Sequence, residues 1–178
     1  GVYAFISPID FYNIENVIPS LYEKGNNPLI LVLDRITDVR NFGAICRTAL
    51  CAGVDSILIP EQNAAAINAD AIKTSAGALL KIPICRTWNL KESLQFLKDS
   101  GLQLIACTEK ATNTIYSINY KRPISIIMGS EKDGISSEFI KMSHYKAKIP
   151  MSNSIDSLNV SVSTGIILSE VIKQRLKI

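Results

Sequence analysis

The chain has 178 residues, of which 47% are hydrophobic, and 19 Lys and Arg against 16 Asp and Glu leave a net charge of +3. This length and apolar content suit one domain with a single substantial core, and they exclude a chain that is disordered throughout. The charge is compatible with a nucleic-acid partner but is too small to indicate one unless the basic residues are clustered.

The chain divides into a lead-in and a domain. Residues 1–28 are broken up by Pro and Gly and show only a weak helical period around residues 11–22, which predicts a linker with one short helix. From Leu29 onwards, continuous apolar runs of strand length alternate with stretches of helical spacing. We therefore predict a domain over residues 29–178, preceded by a lead-in over residues 1–28.

The predicted strands are buried, because their apolar runs are continuous rather than alternating. In chain order they are residues 29–33, 56–59, 82–85, 102–107, 124–128 and 145–149. The predicted helices are residues 42–52, a short one within 61–81, 90–100, 136–142 and 158–176. For the last helix Ser154, Asp156 and Ser157 are candidate N-caps. It is apolar over more than one stripe, which indicates packing on the sheet and on something else.

This alternation predicts an α/β fold with a mostly parallel sheet and helices on both faces. In such sheets ligands gather at the carboxyl ends of the strands. Four predicted loops leave such ends, after Asp34, Cys107, Met128 and Ile149. The polar and charged residues that they and the following helices bring to this edge are Arg35, Arg40, Asn41, Arg47, Glu131, Ser157 and Asn159.

Arg47 is the most unusual of these residues, because it lies in an otherwise apolar helix where an unpaired buried guanidinium would be costly. It therefore faces a cleft or an anionic partner, or else the solvent side of an amphipathic helix. Glu131 is a natural counter-ion for it. Arg35, Arg40 and Lys132 could extend a phosphate-binding surface, since phosphate contacts position a nucleic acid without reading its sequence.

Several familiar sites are not supported. Gly129 and Gly134 allow close backbone approach or positive φ, but they do not form a P-loop, because no Lys-Ser/Thr follows the second glycine. No GxGxxG follows a strand, no GxSxG elbow accompanies the lone His144, and no ligand cluster indicates a metal. Lys146 and Lys148 are most simply the exposed face of a strand.

Location is indicated by what the sequence lacks. No stretch approaches the roughly 18 apolar residues that span a bilayer, and no basic region leads into an apolar one near the N-terminus. The four cysteines form no CxxC pair and lie in apolar surroundings, which is typical of buried small hydrophobic residues. We expect a cytoplasmic protein without a membrane partner.

Three segments resemble, in order and spacing, the motifs of the SpoU or TrmH family of RNA ribose 2′-O-methyltransferases, within the SPOUT superfamily. They are residues 34–49, residues 127–135, and residues 149–151 continuing to 157–161. The subgroup that methylates a guanosine ribose in large-subunit ribosomal RNA is most similar, because Gly1-Val-Tyr-Ala resembles the junction after its small N-terminal RNA-binding domain. Such a domain is expected upstream of this chain.

The resemblance implies a C-terminal part threaded into a deep trefoil knot, although knots are rare in proteins. It implies a homodimer with the active site near the interface, which would account for the apolar breadth of the last helix. It also implies a site for S-adenosylmethionine. By motif position, the residues of that site are Gly129, Ile149 and Leu158, with Thr108, Met151 and Asn159 nearby.

The resemblance further implies that Arg47 is the catalytic residue, with Asn41, Glu131, Ser157 and Asn159 positioning it and the substrate. The ribose 2′-oxygen attacks the sulfonium methyl group in line. Because a guanidinium keeps its proton at neutral pH, we favour a role for Arg47 in holding phosphate and stabilising the developing alkoxide over a role as general base.

Two alternatives stay open from sequence alone. The RNA could be transfer RNA rather than ribosomal RNA, because target choice lies in appended domains. The chain could also be an RNA-binding domain that has kept the fold without the activity. Lys132 and Asp133 depart from the family pattern, in which small or acidic residues are more usual there, and this affects local contacts with the substrate.

Overall fold

The computed structural model describes residues 8–152 and 157–176. Its strands are β1 (Leu29–Asp34), β2 (Ser56–Pro60), β3 (Ile84–Thr87), β4 (Gln103–Cys107), β5 (Asn113–Thr114), β6 (Ile124–Gly129) and β7 (Tyr145–Lys148). Its helices are α1 (Ile14–Glu23), α2 (Val39–Cys51), α3 (Ala69–Thr74), α4 (Leu90–Asp99), α5 (Ser137–Met142) and α6 (Val160–Leu176). Short 3-10 turns span Ala78–Leu80 and Ile115–Ser117.

Within the described residues the seven strands form one sheet in the order β3-β2-β1-β6-β4-β7-β5. Every neighbouring pair is parallel. The predicted α/β fold is therefore confirmed. β5 was not predicted, because a two-residue edge strand leaves no apolar run to recognise. β3 lies two residues later than predicted.

The core explains why the central strands read as unbroken apolar runs. All six residues of β1 are buried. Leu29, Leu31 and Leu33 pack in a cluster with residues of α2 and α6 on one face. Ile30 and Val32 pack in a second cluster with residues of α1 and α4 on the other face. Burial on both faces removes the alternation of apolar and polar residues that a half-exposed strand would show.

Helix α1 belongs to the predicted lead-in and packs directly on the sheet. The Asn13 side chain accepts from the Glu15 N–H and caps the helix. Ile14 and Ile18 are buried in the second cluster. Immediately before the helix, the Tyr12 N–H donates to the Ile84 carbonyl of β3 at 2.9 Å, and the Tyr12 carbonyl accepts from the Arg86 N–H at 3.2 Å. Residues 8–28 are therefore held against the domain.

The N-termini of α2 and α6 differ from the sequence prediction by a few residues. Asp38 accepts from the Asn41 N–H at 2.7 Å, so α2 begins at Val39 rather than Phe42. Asn159 accepts from the Ser161 N–H at 2.9 Å and is the N-cap of α6. The predicted cap Ser157 was wrong, and Ser154 and Asp156 lie outside the described residues.

At the amino ends of the strands, Arg175 near the end of α6 binds four backbone carbonyls. Its guanidinium donates to the carbonyl oxygens of Tyr120, Asn27, Pro28 and Arg122 at 2.7–3.2 Å. These carbonyls belong to the segments that lead into β1 and β6. One side chain thus joins the last helix to the two central strands.

In the part of the chain that the structure describes, no helix has the length and apolarity to cross a bilayer.

Candidate active site

A cleft opens at the carboxyl edge of the sheet, where the loops after β4, β6 and β7 meet the start of α6. The space inside it, counted to its open mouth, is about 630 Å³. Its walls combine apolar side chains with polar groups. Among the described residues they include Thr108, Glu109, Met128, Gly129, Ser130, Ile135, Lys148, Ile149, Met151, Ser157 and Leu158.

The loop after β6 folds back on itself through two glycines, as predicted. A Cβ atom on Gly129 would lie 2.1 Å from the backbone carbon of Gly134, so only glycine fits there. Gly134 has φ +65°, a conformation that glycine adopts without strain. The Gly134 N–H donates to the Ser130 carbonyl at 2.9 Å and closes the turn. This close approach presents Glu131 at the tip of the loop.

Buried Asp34, at the end of β1, fixes the far end of the same loop. Its Oδ2 accepts from the Ser136 N–H at 2.6 Å and from the Ser136 hydroxyl at 2.7 Å. Arg35 donates to Asp34 at 3.1 Å and to the Gly134 carbonyl at 3.2 Å. Arg35 therefore holds the loop, and its place in a phosphate-binding surface stays a prediction. Sequence reasoning gave Asp34 no role, although a carboxylate ending an apolar strand was a signal.

Three distant residues form a hydrogen-bonded group beside the cleft, which we call the polar cluster: Asn41, Glu131 and Asn159. Asn159 Nδ2 donates to Glu131 Oε1 at 2.7 Å and to Asn41 Oδ1 at 3.0 Å. Asn41 Nδ2 donates to the same Glu131 oxygen at 3.2 Å. The Val160 N–H also donates to it, at 3.3 Å. The predicted meeting of α2, the β6 loop and the start of α6 is thus observed.

Three donors to one Glu131 oxygen leave the other oxygen without a hydrogen bond to any described residue. Asn159 has a second task, because its Oδ1 accepts from the backbone and hydroxyl of Ser161 and so caps α6. The oxygen of the Asn159 amide therefore caps α6, and its nitrogen bonds the polar cluster. Its orientation follows from this arrangement, since only Nδ2 can donate to a carboxylate.

Arg47 lies exposed on α2, and its guanidinium has no hydrogen bond or ion pair within the described residues. The prediction that Glu131 is its counter-ion was wrong, because Glu131 bonds the two amides instead. Arg47 does not line the cleft, and its exposed position suits either solvent or an anionic partner. Arg40, seven residues earlier, is also exposed and lies on the same helical face. The two guanidinium groups remain available to an anionic partner.

The structure brings together most of the residues predicted for the cofactor site. Thr108, Gly129, Ile149, Met151 and Leu158 all line the cleft. Ser157, predicted to position the substrate, also lines it. Asn159 lies in the polar cluster instead.

Lys148 lines the same cleft, although the sequence placed it on the exposed face of a strand. That prediction was wrong for Lys148, which is half-buried, whereas Lys146 is exposed. The chain turns toward the site at the end of β7, and a two-residue alternation cannot show such a turn.

Cys107 also contacts the cleft, but as a neutral group. Burial raises the pKa of its thiol to about 12, so it stays protonated at neutral pH and is a poor nucleophile. The prediction that all four cysteines are buried was wrong for Cys51, which is exposed on α2. The cleft therefore offers positioning groups and a carboxylate at its edge rather than a nucleophilic thiolate.

Comparison with known proteins agrees with this geometry. The model of the SpoU rRNA Methylase family matches residues 28–169. The chain is 37% identical over 176 residues to the 23S rRNA (guanosine-2′-O-)-methyltransferase RlmB of Pseudomonas aeruginosa, covering 98% of this chain and 71% of that protein. It is 34% identical over 175 residues to the Escherichia coli protein of the same name, with 98% and 72% covered.

Two solved structures are similar in fold. The AdoMet-bound rRNA methyltransferase from Sinorhizobium meliloti superposes with a TM-score of 0.84 at 27% identity, covering 94% of this chain and 62% of that one. The TrmH/SpoU tRNA modifying enzyme of A. aeolicus gives a TM-score of 0.78 at 30% identity, with 92% and 85% covered. This chain thus spans about seven-tenths of the length of the two RlmB relatives.

Proposed function

The chain belongs to the SpoU rRNA methylase family, and from that premise we propose that it transfers a methyl group from S-adenosylmethionine to a ribose 2′-hydroxyl of RNA. The observation that carries the proposal is the polar cluster, in which three segments separated by up to 118 residues meet beside an open cleft. Glu131 and Asn159 are exposed and Asn41 is half-buried, so the polar cluster lies where a substrate can reach it. It is the arrangement expected where a substrate must be oriented.

The cleft residues fit S-adenosylmethionine. Ile149, Leu158 and Ile135 provide apolar surface for an adenine ring, and Thr108 and Ser157 provide polar groups for the rest of the molecule. The closely packed Gly129 and Gly134 backbones leave the floor of the cleft free of side chains. When bound, S-adenosylmethionine supplies an electrophilic methyl group on a positively charged sulfur.

The residues of this chain would act by orientation and electrostatics. Arg47, free of internal partners, would hold a phosphate of the RNA and stabilise negative charge as it develops on the 2′-oxygen. The reaction joins that oxygen to the methyl carbon, breaks the carbon–sulfur bond and releases the 2′-hydroxyl proton. Asn41 and Asn159 hold Glu131, whose second oxygen would be available to accept a hydrogen bond from the ribose. A guanidinium is a poor proton acceptor, so we assign Arg47 no proton transfer.

We propose a guanosine of large-subunit ribosomal RNA as the substrate. The two curated relatives are named for that activity on 23S rRNA. Transfer RNA is the second candidate, favoured by the likeness to a tRNA modifying enzyme of which 85% is covered. An inactive RNA-binding domain is the third, but the polar cluster is complete, which a chain without activity would have no reason to keep.

One experiment separates the three candidates. Ribosomal RNA and transfer RNA from cells lacking the gene would be incubated with the protein and methyl-labelled S-adenosylmethionine, and 2′-O-methyl groups would be mapped. Label on large-subunit RNA is the expected result, and label on transfer RNA alone would establish the second candidate. Calorimetric binding of S-adenosylmethionine without transfer to either RNA would establish the third. No binding and no transfer would refute all of them.

We also propose that the protein is a homodimer. The outer face of α6 supports this, because Val162, Gly165, Ile166 and Ser169 line a shallow groove with Tyr116, whose side chain is 56% exposed. Val162 and Tyr116 are both more than half exposed, and a second copy of the chain would cover them. Val162→Asp should shift the mass measured by light scattering from two chains to one, whereas Lys146→Asp, on an exposed strand, should not.

Three further expectations accompany this function. We propose that residues 29–178 are the methyltransferase domain and residues 1–28 a lead-in, supported by the family match that begins at residue 28. We propose a deep trefoil knot in the C-terminal part, supported by the strand order, which places β6 between β1 and β4. We propose that the protein acts in the cytoplasm, supported by four free cysteines among the described residues. A crystal structure that traces residues 149–160 would test the knot directly.

A further inference from the structure

A second depression, which we call the Trp88 hollow, lies on the carboxyl edge of the sheet beside the cleft. The loops after β1, β2 and β3 converge there, and residues of α4 and α5 close one side. Its lining includes Arg35, Gln62, Asn63, Trp88, Lys91 and Glu138. None of these residues belongs to the polar cluster or lines the cleft, so the hollow needs its own explanation.

Trp88 is the most exposed large hydrophobic residue among those described, at 82%. Its position is nevertheless fixed on both sides. The Thr87 hydroxyl oxygen accepts from the Asn89 N–H at 3.2 Å and bonds the Ser93 hydroxyl at 2.9 Å. Asn89 in turn caps α4 through the Glu92 N–H. The backbone that carries the exposed indole is thus ordered before any ligand arrives, which lowers the entropy cost of binding there.

The backbone around the hollow is strained at two points. Arg35 has φ +59° and Asn63 has φ +58°, and these are two of the three non-glycine residues with positive φ in the described chain. Asn tolerates this conformation, but for Arg it costs on the order of 1 kcal/mol. Such residues concentrate at binding sites, where the surrounding structure holds them in place. Both come from loops that follow neighbouring strands.

The charges of the hollow cancel in pairs. Arg35 bonds Asp34 at 3.1 Å, and Lys91 forms an ion pair with Glu138. Neither cation is therefore free for a phosphate. By contrast, the side-chain amides of Gln62 and Asn63 make no hydrogen bond to any described residue. An exposed ring with free amides next to it suits a nucleobase, which offers a flat face for stacking and an edge for hydrogen bonds.

The hollow also borders the site. Asp34 bonds Arg35 and Ser136, which both line the hollow, and the residue before Ser136, Ile135, lines the cleft. Because β1 and β6 are adjacent, the two depressions lie at neighbouring strand ends. β3, which carries Trp88 at its end, lies three strand spacings from β6, or roughly 14 Å. A strand of RNA whose ribose reached the cleft could place a nearby nucleotide in the hollow.

We infer that Trp88 is a stacking platform for an unpaired base of the RNA substrate, on a nucleotide that flanks the one methylated, with Gln62 and Asn63 contacting the edge of that base. This inference rests on the proposed function. It assigns a substrate-binding position to a surface separate from the cofactor cleft and from the polar cluster. It also implies that the flanking segment of the RNA is single-stranded when bound, since a paired base cannot offer a free face.

The chain contains a single Trp, so its fluorescence reports this position alone. A mixed-sequence single-stranded RNA should quench and shift the emission of Trp88 saturably, and the same RNA annealed to its complement should do so far less. Anisotropy of the labelled RNA would measure binding independently. Saturable binding of the single strand with unchanged Trp88 emission would overturn the inference.

Variants test the energetics on a folded background, because an exposed side chain can be changed without disturbing the core. Trp88→Ala should weaken single-strand RNA binding about 5- to 150-fold, the range measured for one stacked base. The loss should appear in KM for RNA and not in S-adenosylmethionine affinity, and Trp88→Phe should recover most of it. Leu80→Ala, at a residue 58% exposed outside the hollow, is the matched control and should change nothing.

The outcomes separate this inference from the proposed function. If wild-type protein methylates RNA and Trp88→Ala has the same KM for that RNA, the inference is wrong and the function stands. If the wild type neither binds nor methylates RNA, both are wrong. If Trp88→Ala loses binding and Trp88→Phe does not, a flat ring at this position is needed, as the inference requires.

Discussion

Arg175 and Arg47 carry the same guanidinium group, but the first bonds the fold internally and the second is left available to a substrate. Arg175 donates four of its five N–H groups to backbone carbonyls. Arg47 donates to no described residue. The planar fork of a guanidinium suits both tasks, because it matches several oxygens at once, whether from carbonyls or from a phosphate. The carbonyls near the amino edge of the sheet are thus hydrogen-bonded within the protein, whereas the carboxyl edge keeps hydrogen-bonding groups that are available to a substrate.

The largest effect is expected at Arg47. Arg47→Ala should lower the rate of methyl transfer about 100- to 1000-fold, because it removes a cation from the developing charge. Its free energy of unfolding should stay within about 0.5 kcal/mol of the wild type, as no internal contact is lost. Single-turnover assays and urea titration would measure the two quantities. Arg40→Ala, on the same helical face, is the control and should show the smaller loss. Lost S-adenosylmethionine affinity with normal turnover would contradict the assignment.

Arg175 should show the reverse pattern. Arg175→Ala should lower the free energy of unfolding by about 2–4 kcal/mol, because four carbonyls, two of them in part-buried bonds, lose a charged donor. Well below its melting temperature, the variant should transfer methyl groups at nearly the wild-type rate. Arg175→Lys should recover less than half of the lost stability, since one ammonium cannot reach four acceptors. Arg122→Ala, at an exposed neighbour, should be neutral. A rate loss as large as that of Arg47→Ala would break the comparison.

Asn159 belongs to both halves of the comparison, because it caps a helix and bonds Glu131. Asn159→Ala should lower the free energy of unfolding by about 1 kcal/mol through the lost cap. Asn159→Ser keeps a capping oxygen and should retain most of that stability, yet it has no amide donor for Glu131. Both variants should therefore lose activity, by roughly tenfold for each 1.4 kcal/mol of lost positioning. Full activity in the Ser variant would show that the cap alone matters.

The smallest effect concerns His144 at the amino end of β7. Its Nδ1 accepts from the Leu104 N–H at 2.9 Å, and burial, with nearby Lys98 adding to it, lowers its pKa from the ordinary 6.5. A histidine whose pKa is lower in the folded chain favours folding in its neutral form. That stability is present above pH 6.5 and is lost as the pH falls below it.

His144→Asn provides the matched variant, since an Asn oxygen can accept the same N–H without titrating. Urea midpoints measured across the acidic range should fall more steeply for the wild type than for the variant. Superimposable profiles would show that His144 contributes nothing. Methyl transfer should be unaffected by this substitution at neutral pH, because His144 lies at the amino edge of the sheet and the cleft lies at the carboxyl edge.

The parts of the structure that could be predicted are those encoded locally. Continuous apolar runs placed β1 and β6, because burial on both faces requires them. Gly129 and Gly134 were predicted as positions of close approach or positive φ from residue type alone, and the polar groups after strand ends were assigned to one edge by the general geometry of parallel sheets.

The rest depends on partners far away in the chain. Asp34 bonds Ser136 across 102 residues, and no pattern near either residue shows it. By charge, Glu131 was expected to pair with Arg47, but two side-chain amides and a backbone N–H bond its carboxylate instead. The same competition applies to Arg35, which the sequence indicated as a surface cation and which instead bonds the loop after β6. Ser157 was a reasonable cap by composition, yet the tertiary contact of Asn159 decided where the helix starts.

The double use of Asn159 ties the first turn of α6 to the cluster that borders the cleft. Unwinding that turn releases the amide, and the amide is what steadies Glu131. A chain that has formed its sheet but not yet wound its last helix would therefore be inert, without an intermediate level of activity. Turnover then becomes a direct readout of completed folding, and a refolding experiment should recover it in step with the last helix rather than with the sheet.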